Sequence, residues 1–212
     1  MMTPAGDGYL DRILVTLFAR SGIAFELVIS PPPRGVADAD SGVIDAVVAP
    51  FPDMREDFPD LLPLPESLLP TNIAGLYTRE EISIRSVEDF FDYRLGFLQG
   101  WSKPEELFRD HPHVTRLRTP RLLMQMLAND RVDVVYFPSA PGRYIASEIG
   151  LQGLKVSEFH LDRHLYLHFN KRHAELVLRL QEELVAMKED GTMATILRGY
   201  ETEHQLPPAR AQ

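Results

Sequence analysis

The sequence contains no cysteine, which excludes disulfide bonds, thiolate metal sites and cysteine nucleophiles. No stretch approaches the ~18 consecutive apolar residues of a membrane span. Basic residues are also few. The 22 lysines and arginines are outnumbered by 31 acidic residues, giving a net charge of −9. Nucleic acid and anionic membrane surfaces are therefore disfavoured as partners.

Motifs of known enzyme classes are absent too. The sequence has no nucleophile elbow, phosphate loop, zinc-protease helix or nucleotide fingerprint. The paired carboxylates Glu105-Glu106 and Glu182-Glu183 are adjacent, and adjacent residues on a helix do not converge on one point. We therefore predict that the protein is not an enzyme, and we assign no catalytic residue, cofactor or metal.

The start of the chain also lacks a recognisable signal. Residues 1–8 are short and polar, without the basic and apolar regions of a signal peptide. The sequence therefore predicts a cytoplasmic protein if Met1 is the natural start.

Two short segments of the chain are nearly the same. Residues 44–50 and 132–138 each have a β-branched residue, an Asp (Asp45 or Asp133), an apolar run and a Pro five positions after the Asp. Each is preceded by a Pro-Arg pair, helix-forming residues and a turn. The pattern predicts a helix, tight turn and buried strand written twice, and hence two α/β lobes within the 212 residues.

Other elements follow from periodicity and turn residues. We predict these further features: an amphipathic helix over 9–18, a strand over 24–29, an irregular Pro-rich loop over 50–70, extended segments over 156–161 and 165–169, and a poorly ordered tail over 205–212.

A strand over 94–99 leads into Gly100-Trp101-Ser102, with Pro104 at the start of a predicted helix. Such a turn directs free backbone N–H groups at one point and can hold an anion or a carboxylate. Trp101 has two interpretations that stay open: it stacks on a ligand, or it fills a hydrophobic gap.

Several segments, in consistent order, resemble one known family. They are Pro33-Arg34, Gly42–Ala46, Val87–Phe90, Arg94–Gly96, Gly100, Leu127, Arg131–Asp133, Leu165–Leu167, Met187–Thr192, Ile196 and Tyr200. The most specific is the closing Lys188-x-Asp190-Gly191-Thr192 signature. This pattern resembles the extracellular solute-binding proteins of the polar amino acid type, family 3.

The resemblance implies a type II periplasmic-binding fold that closes on a small ligand. It consists of two α/β lobes, each a mixed sheet flanked by helices, joined by two crossing strands. We expect lobe 1 to comprise residues 1–74 and 168–204, and lobe 2 residues 75–167. The resemblance also implies a periplasmic location and the membrane components of an ABC transporter as partners.

The chain departs from this family in three places. The strand that normally precedes the first helix is missing, and Trp101 replaces a small hydroxyl residue on the Gly-turn. Phe137-Pro138 stand where amino-acid binders place an Asp that pairs with the ligand ammonium. Without that Asp, burying the ammonium would cost several kcal/mol, so an ordinary α-amino acid is disfavoured as the ligand.

Arg55 lies roughly where the family has its carboxylate-binding Arg. It either clamps a carboxylate bidentately or pairs in solvent with the nearby Asp53, Glu56 or Asp57. The full set of predicted ligand contacts is Arg55, Ala49, Pro50, Gly100, Trp101, Ser102, Tyr136 and Ser139.

The leading hypothesis is a solute-binding protein for transport or sensing, with a small carboxylate-bearing ligand. The alternative is a degenerate module of the same fold that has lost its ligand and acts in protein interaction, as a homodimer that supplies the missing sheet pairing. His160, His164 and His168 would share one face of a helix suitable for a metal, but the alternating pattern around them favours a strand. On a strand, His164 and His168 would still share a face, so a metal site stays open as a minor alternative.

Overall fold

The computed structural model describes residues 6, 8–28, 30, 32–52 and 54–203. The chain divides into two compact units. The first comprises Met1–Pro70 and His164–Gln212, and the second comprises Thr71–Arg163. The predicted tail over 205–212 lies outside the described residues.

Helices and strands occur in both units. The helices are α1 (Tyr9–Arg20), α2 (Pro32–Asp40), α3 (Ser102–Leu107), α4 (Pro120–Ala128), α5 (Ser139–Glu148), α6 (Ala174–Glu189) and α7 (Thr192–Glu203), with 3-10 turns at Glu88–Asp92 and Lys171–His173. The strands are β1 (Ala46–Ala49), β2 (Leu61–Pro63), β3 (Leu69–Tyr77), β4 (Leu95–Leu98), β5 (Val114–Leu117), β6 (Val134–Pro138) and β7 (Lys155–Asn170). The chain passes between the units twice, within β3 and within β7, so the predicted fold class with two crossing strands is confirmed.

In the first unit, the end of β7 lies between β1 and β2 and pairs with both in antiparallel orientation. Helix α1 buries Ile13, Leu14 and Leu17, which recur at helical spacing, and it packs against α6 and α7. The apolar pattern predicted for this helix is therefore confirmed.

The closing signature of the sequence joins α6 to α7 in this unit. Asp190 accepts hydrogen bonds from the backbone N–H of Thr192 at 2.9 Å and from Arg20 of α1 at 2.7 Å. The Thr192 hydroxyl, the Arg20 guanidinium and the Thr192 N–H together lower the pKa of Asp190 to about 2. The signature thus acts locally, by fixing the turn between two helices and attaching it to a third.

In the second unit, the strands run in the order β3-β6-β4-β5, with β6, β4 and β5 mutually parallel and β3 antiparallel to β6. Alternate residues of β6 enter two different hydrophobic clusters. Val135 and Phe137 belong to the cluster packed against α4 and α5, whereas Val134 and Tyr136 belong to an aromatic cluster with Phe90. This alternation is what a strand buried on both faces requires.

The predicted helix, turn and strand occur in both units, as α2 with β1 and as α4 with β6. The repeated Asp has a cationic partner each time. Asp45 pairs with Arg172, and Asp133 contacts Arg94 at 2.7 Å and Arg79 at 2.6 Å. The Asp133 carboxylate also accepts a hydrogen bond from the backbone N–H of Arg94 at 2.8 Å. The repeated Asp therefore holds the start of each strand to a neighbouring segment.

The predicted strand over 24–29 is wrong for the residues described. Residues 23–28 contain neither helix nor strand, and Ile29 lies outside the described residues. In the second unit, β5 pairs with β4, and β4 in turn pairs with β6. In the first unit, segment 24–28 pairs with no strand among the described residues. Phe25 and Val28 consequently remain exposed.

Two further details differ from expectation. Region 50–70, predicted to be irregular, contains β2 and the start of β3, and the two extended segments after 155 form the single strand β7. His160, His164 and His168 therefore share one strand face, with successive members roughly 13 Å apart along the strand. That spacing is too long for one metal ion, and no group of three potential metal ligands occurs among the described residues.

Over the same residues, no helix has both the length and the apolar character needed to span a membrane.

Two helical glycines differ in their surroundings, which predicts opposite effects for one substitution. A Cβ on Gly142 of α5 would lie 2.2 Å from Cδ1 of the buried Leu76, whereas a Cβ on Gly199 of α7 would meet nothing within 4 Å. Gly142→Ala should lower the free energy of unfolding, because an overpacking cost of about 1–3 kcal/mol exceeds the gain of about 0.5–1 kcal/mol in helix propensity. Gly199→Ala should raise it by about 0.5–1 kcal/mol through helix propensity. Urea unfolding measures both, and a stabilising Gly142→Ala would contradict the packing described for α5.

The ion pairs of Asp133 predict an acid-dependent contribution to stability. Burial raises the pKa of this carboxyl, but the hydrogen bonds from Arg94 and the charge of Arg79 outweigh burial, so the net pKa is lowered. The stabilisation is therefore complete above the unfolded value of about 3.9 and is lost as the pH falls through the lower folded pKa. Asp133→Asn should cost about 1–3 kcal/mol at pH 7, and this cost should shrink below about pH 4.

Urea unfolding at several pH values tests this dependence. The control is Asp130→Asn, which alters an exposed partner of Arg94 at 3.3 Å and should cost less than about 1 kcal/mol. A cost for Asp133→Asn that stays constant down to pH 2 would contradict the ion-pair assignment.

Candidate functional site

The candidate site in the second unit lies at the carboxyl ends of β4 and β6. These strands are parallel, with Leu95 opposite Val134, so both end at the same edge of the sheet. Strand β4 continues through a turn at Gly100 into α3, and β6 continues directly into α5. Gly100 has φ +81°, a backbone conformation that L residues rarely adopt. This edge of an open α/β sheet is the usual location of ligand contacts.

Trp101 packs against the sheet at this edge. Its indole stacks on Phe137, with ring centroids 5.7 Å apart and planes inclined by 17°. Its backbone N–H donates to the Leu98 carbonyl at 3.4 Å, and its carbonyl accepts the N–H of Glu105 at 3.2 Å. One face of the indole therefore covers the hydrophobic cluster, as the gap-filling interpretation requires. The side chain remains partly exposed, so the ligand-stacking interpretation also stays open.

Ser139 opens α5 and is held by a side chain of β3. Its hydroxyl donates a hydrogen bond to Oδ1 of Asn72, and both residues are partly exposed. Because Oδ1 accepts this bond, the Nδ2 group of Asn72 is left with its two N–H donors. These donors suit an anionic or carbonyl oxygen.

Tyr136 lies apart from these residues. It is fully buried on the other face of the sheet, with edge-on contacts to Phe90 at 5.7 Å and to Phe108 at 5.3 Å between ring centroids. Burial raises the pKa of its hydroxyl to about 12, and the hydroxyl has no hydrogen-bond partner among the described residues. The structure therefore brings Gly100, Trp101 and Ser102 to the sheet edge but directs Tyr136 into the aromatic core.

The first unit carries the other three predicted contacts. Ala49 ends β1 and is buried with Met54 and Leu61, and Pro50 follows it, partly exposed. Arg55 is exposed in a turn where the N–H groups of residues 57 and 58 donate to the Met54 carbonyl. Arg55 already has an interaction partner within the chain.

The sequence matches no family model and no curated protein. Solved structures do match, at a low level of identity. An ancestral arginine-binding protein bound to arginine has a TM-score of 0.78 at 19% identity, covering 94% of this chain and 91% of that chain. An amino acid ABC transporter substrate-binding protein from Streptococcus pneumoniae, bound to L-arginine, has a TM-score of 0.77 at 15% identity. The match covers 93% of this chain and 84% of that chain.

A third match is a histidine kinase sensor domain with similarity to periplasmic binding proteins. Its TM-score is 0.77 at 18% identity, covering 91% of this chain and 85% of that one. This chain has the type II periplasmic-binding fold. The expectation drawn from the sequence resemblance is thereby confirmed for the fold, and all three matches are described as binding or sensor proteins.

One residue of this type II fold escaped prediction from sequence. Arg143 lies on α5 four positions after Ser139 and is partly buried, and its side chain makes no hydrogen bond or ion pair within the described residues. Burial lowers the pKa of its guanidinium. The signal in the sequence is that Arg143 is the only charged residue from 134 to 147.

Proposed function

We propose that this chain binds a small carboxylate-bearing solute, for transport or for sensing, and that it catalyses no reaction. The observation that carries the proposal is the composition of the sheet edge in the second unit. It combines a stacked aromatic pair, Trp101 on Phe137, with hydrogen-bonding groups on Asn72 and Ser139. Such a mixture of apolar surface and a few oriented polar groups is typical of small-molecule sites.

The absence of acidic residues after β6 supports a solute without an ammonium group. No Asp or Glu occurs between Asp133 and Glu148, and Asp133 lies before the start of β6, where Arg94 and Arg79 engage it. An ammonium placed at the carboxyl end of β6 would lose its water without gaining a carboxylate partner. A carboxylate in the same place would meet donors instead.

The structural matches support solute binding in general. Two of them are described as bound to arginine, one of these is a component of an ABC transporter, and the third is a sensor domain. By this analogy we propose a periplasmic location, with either the membrane components of a transporter or a signalling partner downstream.

In the first unit, we propose that Arg55 contacts a carboxylate, with Ala49 and Pro50 contributing backbone groups. Arg55 is exposed at the end of the loop that follows β1, and its guanidinium geometry suits bidentate carboxylate binding. The solute would share or replace the interaction that Arg55 already makes.

Thermal unfolding against a panel of dicarboxylates, aromatic acids and amino acids tests this function, with emission from Trp101, the only Trp, as the readout. An acid present at a hundred times its Kd should stabilise the fold by about 2.7 kcal/mol, which raises Tm. Arg55→Ala should reduce that rise. Arg85→Ala, which removes an exposed pair with Glu158 at 3.7 Å, should leave it unchanged. A response to amino acids alone would contradict the proposal.

A second candidate function is the degenerate module that associates with another copy of itself. It is favoured by the exposed Phe25, Val28 and Val43 of the first unit, where segment 24–28 forms no strand among the described residues. Sedimentation velocity at micromolar concentration distinguishes the two candidates. A stable dimer that responds to no acid would support the module, and a monomer would contradict it.

A further inference from the structure

Arg143 on α5 is a partly buried cation to which the described part of the chain supplies no anion. The side chains of other arginines also make no hydrogen bond or ion pair with the described residues, but all of those residues are exposed to solvent. They are Arg109, Arg118, Arg121, Arg131 and Arg179. Arg143 is therefore the one arginine of this group that has lost part of its water.

The loss of water has a physical consequence. An exposed guanidinium is hydrated and needs no protein partner, whereas a partly buried one gives up hydration that a counter-anion normally offsets. The lowered pKa of Arg143 arises from burial alone, without an opposing contribution from a carboxylate. Within the described residues, the charge at this position is thus uncompensated.

The position of Arg143 is fixed by the packing of α5. The helix presents Gly142 to Leu76 and Phe137, and it buries Ala146 in the same cluster. Ser139 and Arg143 are four residues apart, so they lie on one side of the helix, next to this packed face. The Ser139 hydroxyl bonds Asn72, so polar groups accompany Arg143 along that side.

We propose that Arg143 binds a carboxylate of the solute through its guanidinium, with the Asn72 amide as a second donor. The guanidinium therefore selects acids that carry no ammonium group at this position. This inference rests on the proposed function and names the residue that determines its ligand class. The planar fork of an Arg matches a carboxylate bidentately, and its charge repels an ammonium.

The test uses Arg143→Gln and Arg143→Lys, with Arg121→Gln on α4 as the control because Arg121 is exposed and has no partner among the described residues. The probe is the acid that raises the Tm of the wild type most, beginning with succinate. Arg143→Gln should weaken its binding by about 10- to 100-fold, since a charged hydrogen bond is lost. Arg143→Lys should weaken it less, because the charge remains, and Arg121→Gln should not change it.

A second readout separates binding from a structural role. Without ligand, Arg143→Gln should leave Tm unchanged or raise it, because an uncompensated buried charge is removed. A lowered Tm without ligand, or unchanged binding of the acid, would overturn the inference while the proposed function stands. A wild type that binds no acid at all would overturn the proposed function, and this inference with it.

Discussion

Parallel pairing of β4 with β6 is the constraint on which the candidate site depends. Leu95 lies opposite Val134 and Gly96 opposite Val135, so both strands end at one edge and carry the Gly-turn and the start of α5 to the same place. The stacking of Trp101 on Phe137 requires this arrangement. A slip of one residue would turn the ring of Phe137 to the opposite face of the sheet and separate the pair.

The same edge has a charge balance unlike that of the whole chain. The protein carries a net charge of −9, yet Arg143 is the only charged residue between 134 and 147. Asp133 cannot compensate it, because that carboxylate is engaged by Arg94 and Arg79. The lack of an acid after β6 therefore disfavours an ammonium at this edge, and under our proposal it leaves Arg143 to an anionic solute.

The local parts of the fold could be predicted from the sequence, and the parts that depend on distant neighbours could not. The repeated helix, turn and strand could be predicted because Asp45 and Asp133 are each followed by the same local pattern of an apolar run and a Pro, whereas the arginines that pair with them could not. The apolar segment 24–28 has the composition of a strand, but a strand also needs a partner to pair with. The burial of Tyr136 depends on which face of β6 it occupies, and Arg143 stands out only once its surroundings are known.

The most direct test of this account is calorimetric titration with two ligands that differ by one ammonium group. Succinate and L-aspartate form such a pair, and any other acid that stabilises the protein can be paired with its 2-amino derivative. The account predicts that the acid without the ammonium binds more tightly, by at least about tenfold, because no Asp or Glu lies between residues 134 and 147 to pair with an ammonium. Equal or tighter binding of the amino acid would contradict it.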